Sequence, residues 1–216
     1  MPLKPIVEND RYLLRNQIYK YLQQQMRIGA LQPGAFINMN ELIEELGVSR
    51  TPLREAFLLL QANDFVTIFP QRGVRINDLT VQEVKYIYEI LGGLESRLII
   101  SVFDKIGEKK LDEMKRINEE MLLAITDEKF DYYERNLFFH NVFIDLSDNR
   151  KLVNLIKTLK QRLYDFPKKD FGDKWKKINH KEHLKFIRLL QKNLAKEAGE
   201  YLRDVHWRFK YPESFK

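Results

Sequence analysis

The sequence predicts a mostly helical chain in two parts, and three observations carry that reading. Up to about residue 77, three stretches of helical periodicity are followed by two short β-branched and aromatic runs. From residue 78 onward the helical period continues nearly throughout, broken only by short polar loops. The 216 residues are enough for two modest units, each with its own core.

The first part opens, after an arm at 1–10 that contains two prolines, with an amphipathic segment from Tyr12 to Ile28. Leu14, Ile18, Tyr21, Leu22 and Met26 recur in it at helical spacing, and a Pro33-Gly34 turn ends the passage. A second short helix runs to Leu46, with Leu42, Ile43 and Leu46 inward and Asn38 or Asn40 as its cap. Gly47 suits the turn that follows, because it takes positive φ without a Cβ clash. Ser49 is a preferred N-cap, and Pro52 is tolerated in a first helical turn. Arg50 and Arg54, four residues apart, project from one face of the third helix. A helix N-terminus that presents two arginines fits the major groove of DNA, where arginine grips guanine edges or phosphates. Phe65–Phe69 and Val74–Ile76 then read as a two-stranded hairpin, and its turn carries Arg72 and Gly73. Such a tip can reach a neighbouring minor groove. Three helices and a basic-tipped hairpin amount to a winged helix-turn-helix over residues 11–77.

These motifs carry a resemblance. Leu31-Gln32-Pro33-Gly34, Gly47-Val48-Ser49-Arg50-Thr51-Pro52-Leu53-Arg54-Glu55-Ala56 and Pro70-Gln71-Arg72-Gly73-Val74, in unbroken register, are similar to the GntR family of bacterial transcription regulators. The resemblance implies that Arg50 and Arg54 contact operator bases or adjacent phosphates. It places Ser49 and Thr51 on the DNA backbone and Arg72 and Gly73 at the wing. Some members use an arginine early in the second helix; the corresponding position here is Asn40.

Charge adds less than its total suggests. The chain is basic overall, at +6, but its first 77 residues hold nine Lys/Arg against seven Asp/Glu. DNA affinity then depends on where charges sit rather than on their sum. With no cysteine, disulfides and thiolate metal sites are excluded. No apolar run approaches the roughly 18 residues that span a bilayer, and the N-terminus lacks a signal peptide's apolar stretch. A cytoplasmic protein is expected.

The second part, residues 78–212, reads as an all-α antiparallel bundle. Thr80-Val81-Gln82-Glu83 is a capping box opening a helix to about Phe103, with Val84, Ile87, Ile90, Leu91, Leu94 and Leu98 inward. Gly92-Gly93 inside it predicts either close packing by another helix or a bend. Further helices are expected near 108–125, 128–147, 150–165, 173–192 and 194–210. Lys168, Lys169, Lys174, Lys176 and Lys177 form a basic stretch that reads as a solvated loop.

Leu94-Glu95, Asn136-Leu137-Phe138-Phe139-His140, Ser147-Asp148-Asn149-Arg150-Lys151-Leu152, Glu182-His183 and a late His206 make this region resemble the FCD ligand-sensing domain of one GntR branch. The resemblance implies an effector-binding and dimerisation domain, with metal ligands at Asn136, His140, His183 and His206. Three imidazoles and an oxygen converging in a bundle suit Zn²⁺ or Ni²⁺. The interval from His183 to His206 is about one residue longer than the resemblance implies. That is worth about 100° of helix rotation unless a bulge absorbs it. His180 is the alternative if the register differs. The arginine that anchors carboxylate effectors in the family corresponds here to Leu91, with Arg97 further along; Leu91, Arg97, Phe139 and His180 are the candidate pocket residues.

The expected function is DNA binding as a homodimer at a pseudo-palindromic operator, in repression, with affinity modulated by a small ligand, a divalent metal or both. Two other readings use the same residues. One is a DNA-binding protein whose helical domain only dimerises. The other is a metal-dependent hydrolase, in which the histidines activate water.

Overall fold

The computed structural model describes residues 11–127, 131–165 and 172–210. The arm at 1–10 and the lysines at 168 and 169 lie outside them. The chain divides into two compact units, Met1–Thr80 with Gln161–Lys168, and Val81–Lys160 with Lys169–Lys216.

In the first unit, α1 (Arg11–Arg27), α2 (Met39–Leu46) and α3 (Arg50–Ala62) pack around Ile18, Leu22, Met26, Leu42, Leu53, Phe57 and Leu60. Asn38 caps α2, its side chain accepting from the Asn40 N–H at 3.0 Å, which leaves the Asn40 side chain free for other work. Gly47 closes α2 in the left-handed region, at φ 63°. Strands β2 (Val66–Phe69) and β3 (Gly73–Ile76) form the hairpin, with Phe69 opposite Gly73. A third strand is present that the periodicity did not reveal. The two residues of β1 (Phe36–Ile37) pair antiparallel with β3, giving the order β1-β3-β2. Ile37 is buried there, and the pairing turns β3 from an edge strand into a central one.

The second unit is helical: α4 (Val81–Val102), a 3₁₀ turn at Phe103–Lys105, α5 (Glu108–Leu123), α6 (Tyr132–Ile144), α7 (Arg150–Asp165) as far as Lys160, α8 (Gly172–Gln191) and α9 (Ala195–Tyr201), which runs into a π turn at Leu202–His206. Helix α6 starts at Asp131, whose carboxylate accepts from the N–H groups of Tyr133 and Glu134. Helix α4 packs against α6, α9 and the π turn, while α5 packs against α6 and α8. Gly92 serves close packing: a Cβ there would stand 3.1 Å from Trp207 Cβ. Ile90, read as inward from its spacing, is exposed instead. Among the described residues, no helix is long and apolar enough to cross a membrane.

Candidate nucleic-acid face and histidine centre

On α3 the inner face is wholly committed to the core through Pro52, Leu53, Ala56, Phe57 and Leu60. Its first turns present Arg50, Thr51 and Arg54 to solvent. Ser49 occupies the N-cap position, but its side chain makes no capping bond and is exposed to solvent. Arg50 is held by a neighbour: its Nη2 donates to Asn40 Oδ1 at 2.7 Å. Asn40 therefore braces an arginine of the next helix. At the wing tip Arg72 is exposed, and Gly73 follows at φ 104°, a backbone conformation that favours glycine.

In the second unit, His140 of α6, His183 of α8 and His206 of the π turn meet, with one ring nitrogen from each lying within 4.8 Å of the others. His140 and His183 are fully buried. Each ring is oriented through Nδ1 by an oxygen acceptor. His140 donates to Glu95 Oε2 at 2.7 Å, His183 to Asn118 Oδ1 at 3.1 Å, and His206 faces Glu182 Oε2 at 3.3 Å. The amide orientation of Asn118 follows from its other bond, Nδ2 donating to the His180 carbonyl at 3.2 Å. With protons on Nδ1, all three Nε2 atoms carry lone pairs. His140 Nε2 and His206 Nε2 stand 3.2 Å apart, and His183 Nε2 is buried with no hydrogen-bond partner among the described residues. Converging lone pairs repel unless a cation lies among them. Two nitrogens at about 2.0–2.1 Å from a tetrahedral ion stand roughly 3.3 Å apart, so the spacing of His140 and His206 is that of two ligands of one divalent metal. Oriented Nδ1–H groups are the usual outer shell of such a site.

Burial pushes the His140 pKa down to about 3, against the pull of Glu95, and holds His183 well below the ordinary value, with His206 and His140 adding to the effect. Both rings are therefore neutral, as metal ligation requires. Burial alone would raise the Glu95 carboxyl, but His140 and Lys160 hold it well below the usual range.

The remaining candidates separate. Asn136 is buried one turn before His140 on α6, with its Oδ1 3.4 Å from Asn179 Nδ2. Phe139 stacks on His183, ring centroids 3.7 Å apart and 10° from parallel. Leu91 is buried one turn before Glu95. His180 does not join the cluster; its Nδ1 lies 3.0 Å from the Asn118 carbonyl oxygen. Arg97 is exposed, two residues from Glu95 and so on the other side of α4. The long interval before His206 is absorbed by the π turn, where the Trp207 N–H donates to the Leu202 carbonyl five residues back at 2.8 Å.

Sequence reasoning did not connect the histidines to the groups that surround them. Glu95 also accepts from Trp207 Nε1 at 2.9 Å and faces Lys160 Nζ at 2.7 Å; Lys160 is fully buried and its pKa is lowered by that burial to about 8. One signal for it was legible. Val153, Ile156, Lys160 and Leu163 share one helical stripe, and a lysine among apolar positions marks a buried partner.

Comparison with known proteins agrees with this division. Residues 14–76 match the family described as "Bacterial regulatory proteins, gntR family", and residues 86–206 match the FCD domain. The chain is 34% identical over 142 residues to the uncharacterised HTH-type transcriptional regulator YdhC of Bacillus subtilis, covering 65% of this chain and 63% of that protein. It is 26% identical to the HTH-type transcriptional repressor RspR of Escherichia coli, covering 70% and 67%. Among solved structures, E. coli McbR/YncC superposes with a TM-score of 0.72 at 22% identity, covering 89% and 93%, a likeness of fold.

Proposed function

Because the chain belongs to the GntR family of bacterial regulatory proteins and carries the FCD domain of that family, we propose that it is a cytoplasmic DNA-binding transcription regulator. In this reading residues 11–77 bind DNA, and residues 78–212 dimerise the protein and sense a ligand. The observation that carries it is the division of α3 into a fully packed inner face and an exposed edge of Arg50, Thr51 and Arg54. Arg50 and Arg54 read bases or grip phosphates, Ser49 and Thr51 hold the backbone, and Arg72 with Gly73 reaches the flanking groove. Two copies related by a two-fold axis recognise a pseudo-palindrome. The named repressors among the relatives support repression as the direction of control.

In the helical unit, His140, His183 and His206, with Asn136 as an oxygen donor, hold a divalent ion such as Zn²⁺ or Ni²⁺. The ion fixes α6, α8 and the π turn relative to one another, alone or together with a small ligand, and that choice biases operator affinity. The relatives are transcription regulators rather than enzymes, and the hydrolase reading is set aside.

Two measurements test this. Selection of bound sequences from random duplexes is expected to return one pseudo-palindrome, and Arg54→Ala is expected to weaken binding to it by roughly 1–3 kcal/mol. Equal losses on selected and random DNA would reassign Arg54 to phosphate contact. Elemental analysis of protein purified without an affinity metal column is expected to find about one Zn or Ni per chain, lost in His140→Ala. Metal absent even after incubation with excess ion would make the histidines structural and the helical unit a dimerisation module.

A further inference from the structure

The exposed edge of α3 is not uniformly polar. Leu58 stands on it and is 49% exposed. Successive residues of an α-helix turn by about 100° and rise about 1.5 Å. Leu58 therefore projects within about 40° of Arg54, one turn earlier, and within about 20° of Thr51, two turns earlier. Both of those side chains are exposed, as is Gln61 one turn further on. The buried side chains of the helix, among them Leu53, Ala56 and Leu60, lie round the far side. Leu58 is thus the apolar member of a row whose neighbours carry hydrogen-bonding groups. It leaves water only when something is set against this row, and the row's chemistry limits what that can be. A protein interface gathers several apolar side chains around a dry centre, whereas here hydroxyl, guanidinium and amide groups flank one isobutyl group. The major groove offers the matching surface: base edges with donors and acceptors, interrupted by a single kind of apolar group, the C5-methyl of thymine.

We propose that Leu58 selects a thymine by packing against that methyl group, beside the base or phosphate that Arg54 grips. The proposal rests on the DNA-binding reading and adds a sequence-determining contact within it. Four residues of helix, from Arg54 to Leu58, advance about 6 Å. Base pairs repeat every 3.4 Å or so, about half that advance. With the helix along the groove, the thymine stands about two base pairs from the position of Arg54. The leucine side chain has no polar atom, so it discriminates by the methyl group alone. Cytosine and uracil lack that group and give it nothing to pack on.

The test uses the full chain and the duplex it selects from random sequences. Each thymine of a half-site is replaced in turn by deoxyuridine, which keeps the base-pair hydrogen bonds and removes only the methyl group. The wild type is expected to lose about fourfold in affinity at one thymine of each half-site, the effect of no longer burying one methyl group. Leu58→Ala is expected to bind the unmodified duplex more weakly by at least about fourfold, and to be indifferent to deoxyuridine at that thymine. Leu58→Met, apolar and of similar volume, is expected to keep the discrimination. Circular dichroism checks that both variants remain helical. Three results overturn the Leu58 contact while leaving DNA binding standing: a wild type indifferent at every thymine, a Leu58→Ala variant that discriminates as the wild type does, or a selected half-site without thymine. A wild type that selects no sequence overturns operator recognition as well.

Discussion

At the scale of single residues, the second helix shows how a short side chain changes the task of its position. Some members of the family carry an arginine where Asn40 stands. Asn40 is too short to span the same distance, and its amide oxygen instead takes the Arg50 guanidinium at 2.7 Å. Asn40→Ala is expected to leave the fold intact and to weaken operator binding by about 0.5–1.5 kcal/mol, less than Arg50→Ala, because it frees the arginine rather than removing it. Fluorescence anisotropy on the selected operator would decide; unchanged affinity would mean that Arg50 needs no brace. The histidines supply a second residue-scale expectation. His140 and His183 are neutral in the fold, while in the unfolded chain they take protons below the ordinary value of 6.5. The unfolded state then binds more protons, so stability falls as pH drops below about 6.5 and goes on falling toward the depressed values. The melting temperature of metal-free protein is expected to decline from pH 7 to pH 5, and bound metal to be released over the same range. A flat profile would mean that these rings are already charged in the native state.

At the scale of elements, most boundaries were legible where a cap or an apolar period announced them, as at Asn38, Gly47 and the Pro70-to-Gly73 turn. Strand β1 was not, because two residues are too few to show alternation. The π turn was visible only as one residue too many before His206. An extra residue in an α-helix turns everything beyond it by about 100°, and one i→i−5 bond takes up that excess. Removing Arg203, which is exposed within the turn, is expected to make the Trp207-to-Leu202 bond an ordinary α-helical one and to keep His206 facing its partners. Metal content should survive that deletion and be lost when one residue is inserted at the same place. Loss in the deletion would show that His206 depends on the wider turn itself. The three converging histidines were readable from the family motifs, whereas which oxygen acceptor orients each ring was not. Asn118 lies 65 positions from His183 and Glu95 lies 45 from His140, separations at which only the folded chain brings residues together.

At the scale of the whole molecule, the basic surplus lies mostly outside the first 77 residues, so the proposed DNA contact rests on the placement of a few arginines. Its affinity should accordingly fall with salt along a slope set by the phosphates contacted rather than by net charge. The helical unit is governed by a different economy, centred on one buried carboxylate. Glu95, on α4, meets His140 from α6, Lys160 from α7 and Trp207 beyond the π turn. A carboxylate stripped of water is tolerable only while its partners surround it; withdrawing one leaves a bare charge in the interior. These four segments are therefore expected to loosen together. Native-state hydrogen exchange should find the central amides of α4, α6 and α7 opening together, at a single free energy, and staggered exchange would refute that. What looks in a static view like a cluster of polar contacts is then, over time, a latch that makes the helical unit either wholly closed or wholly open.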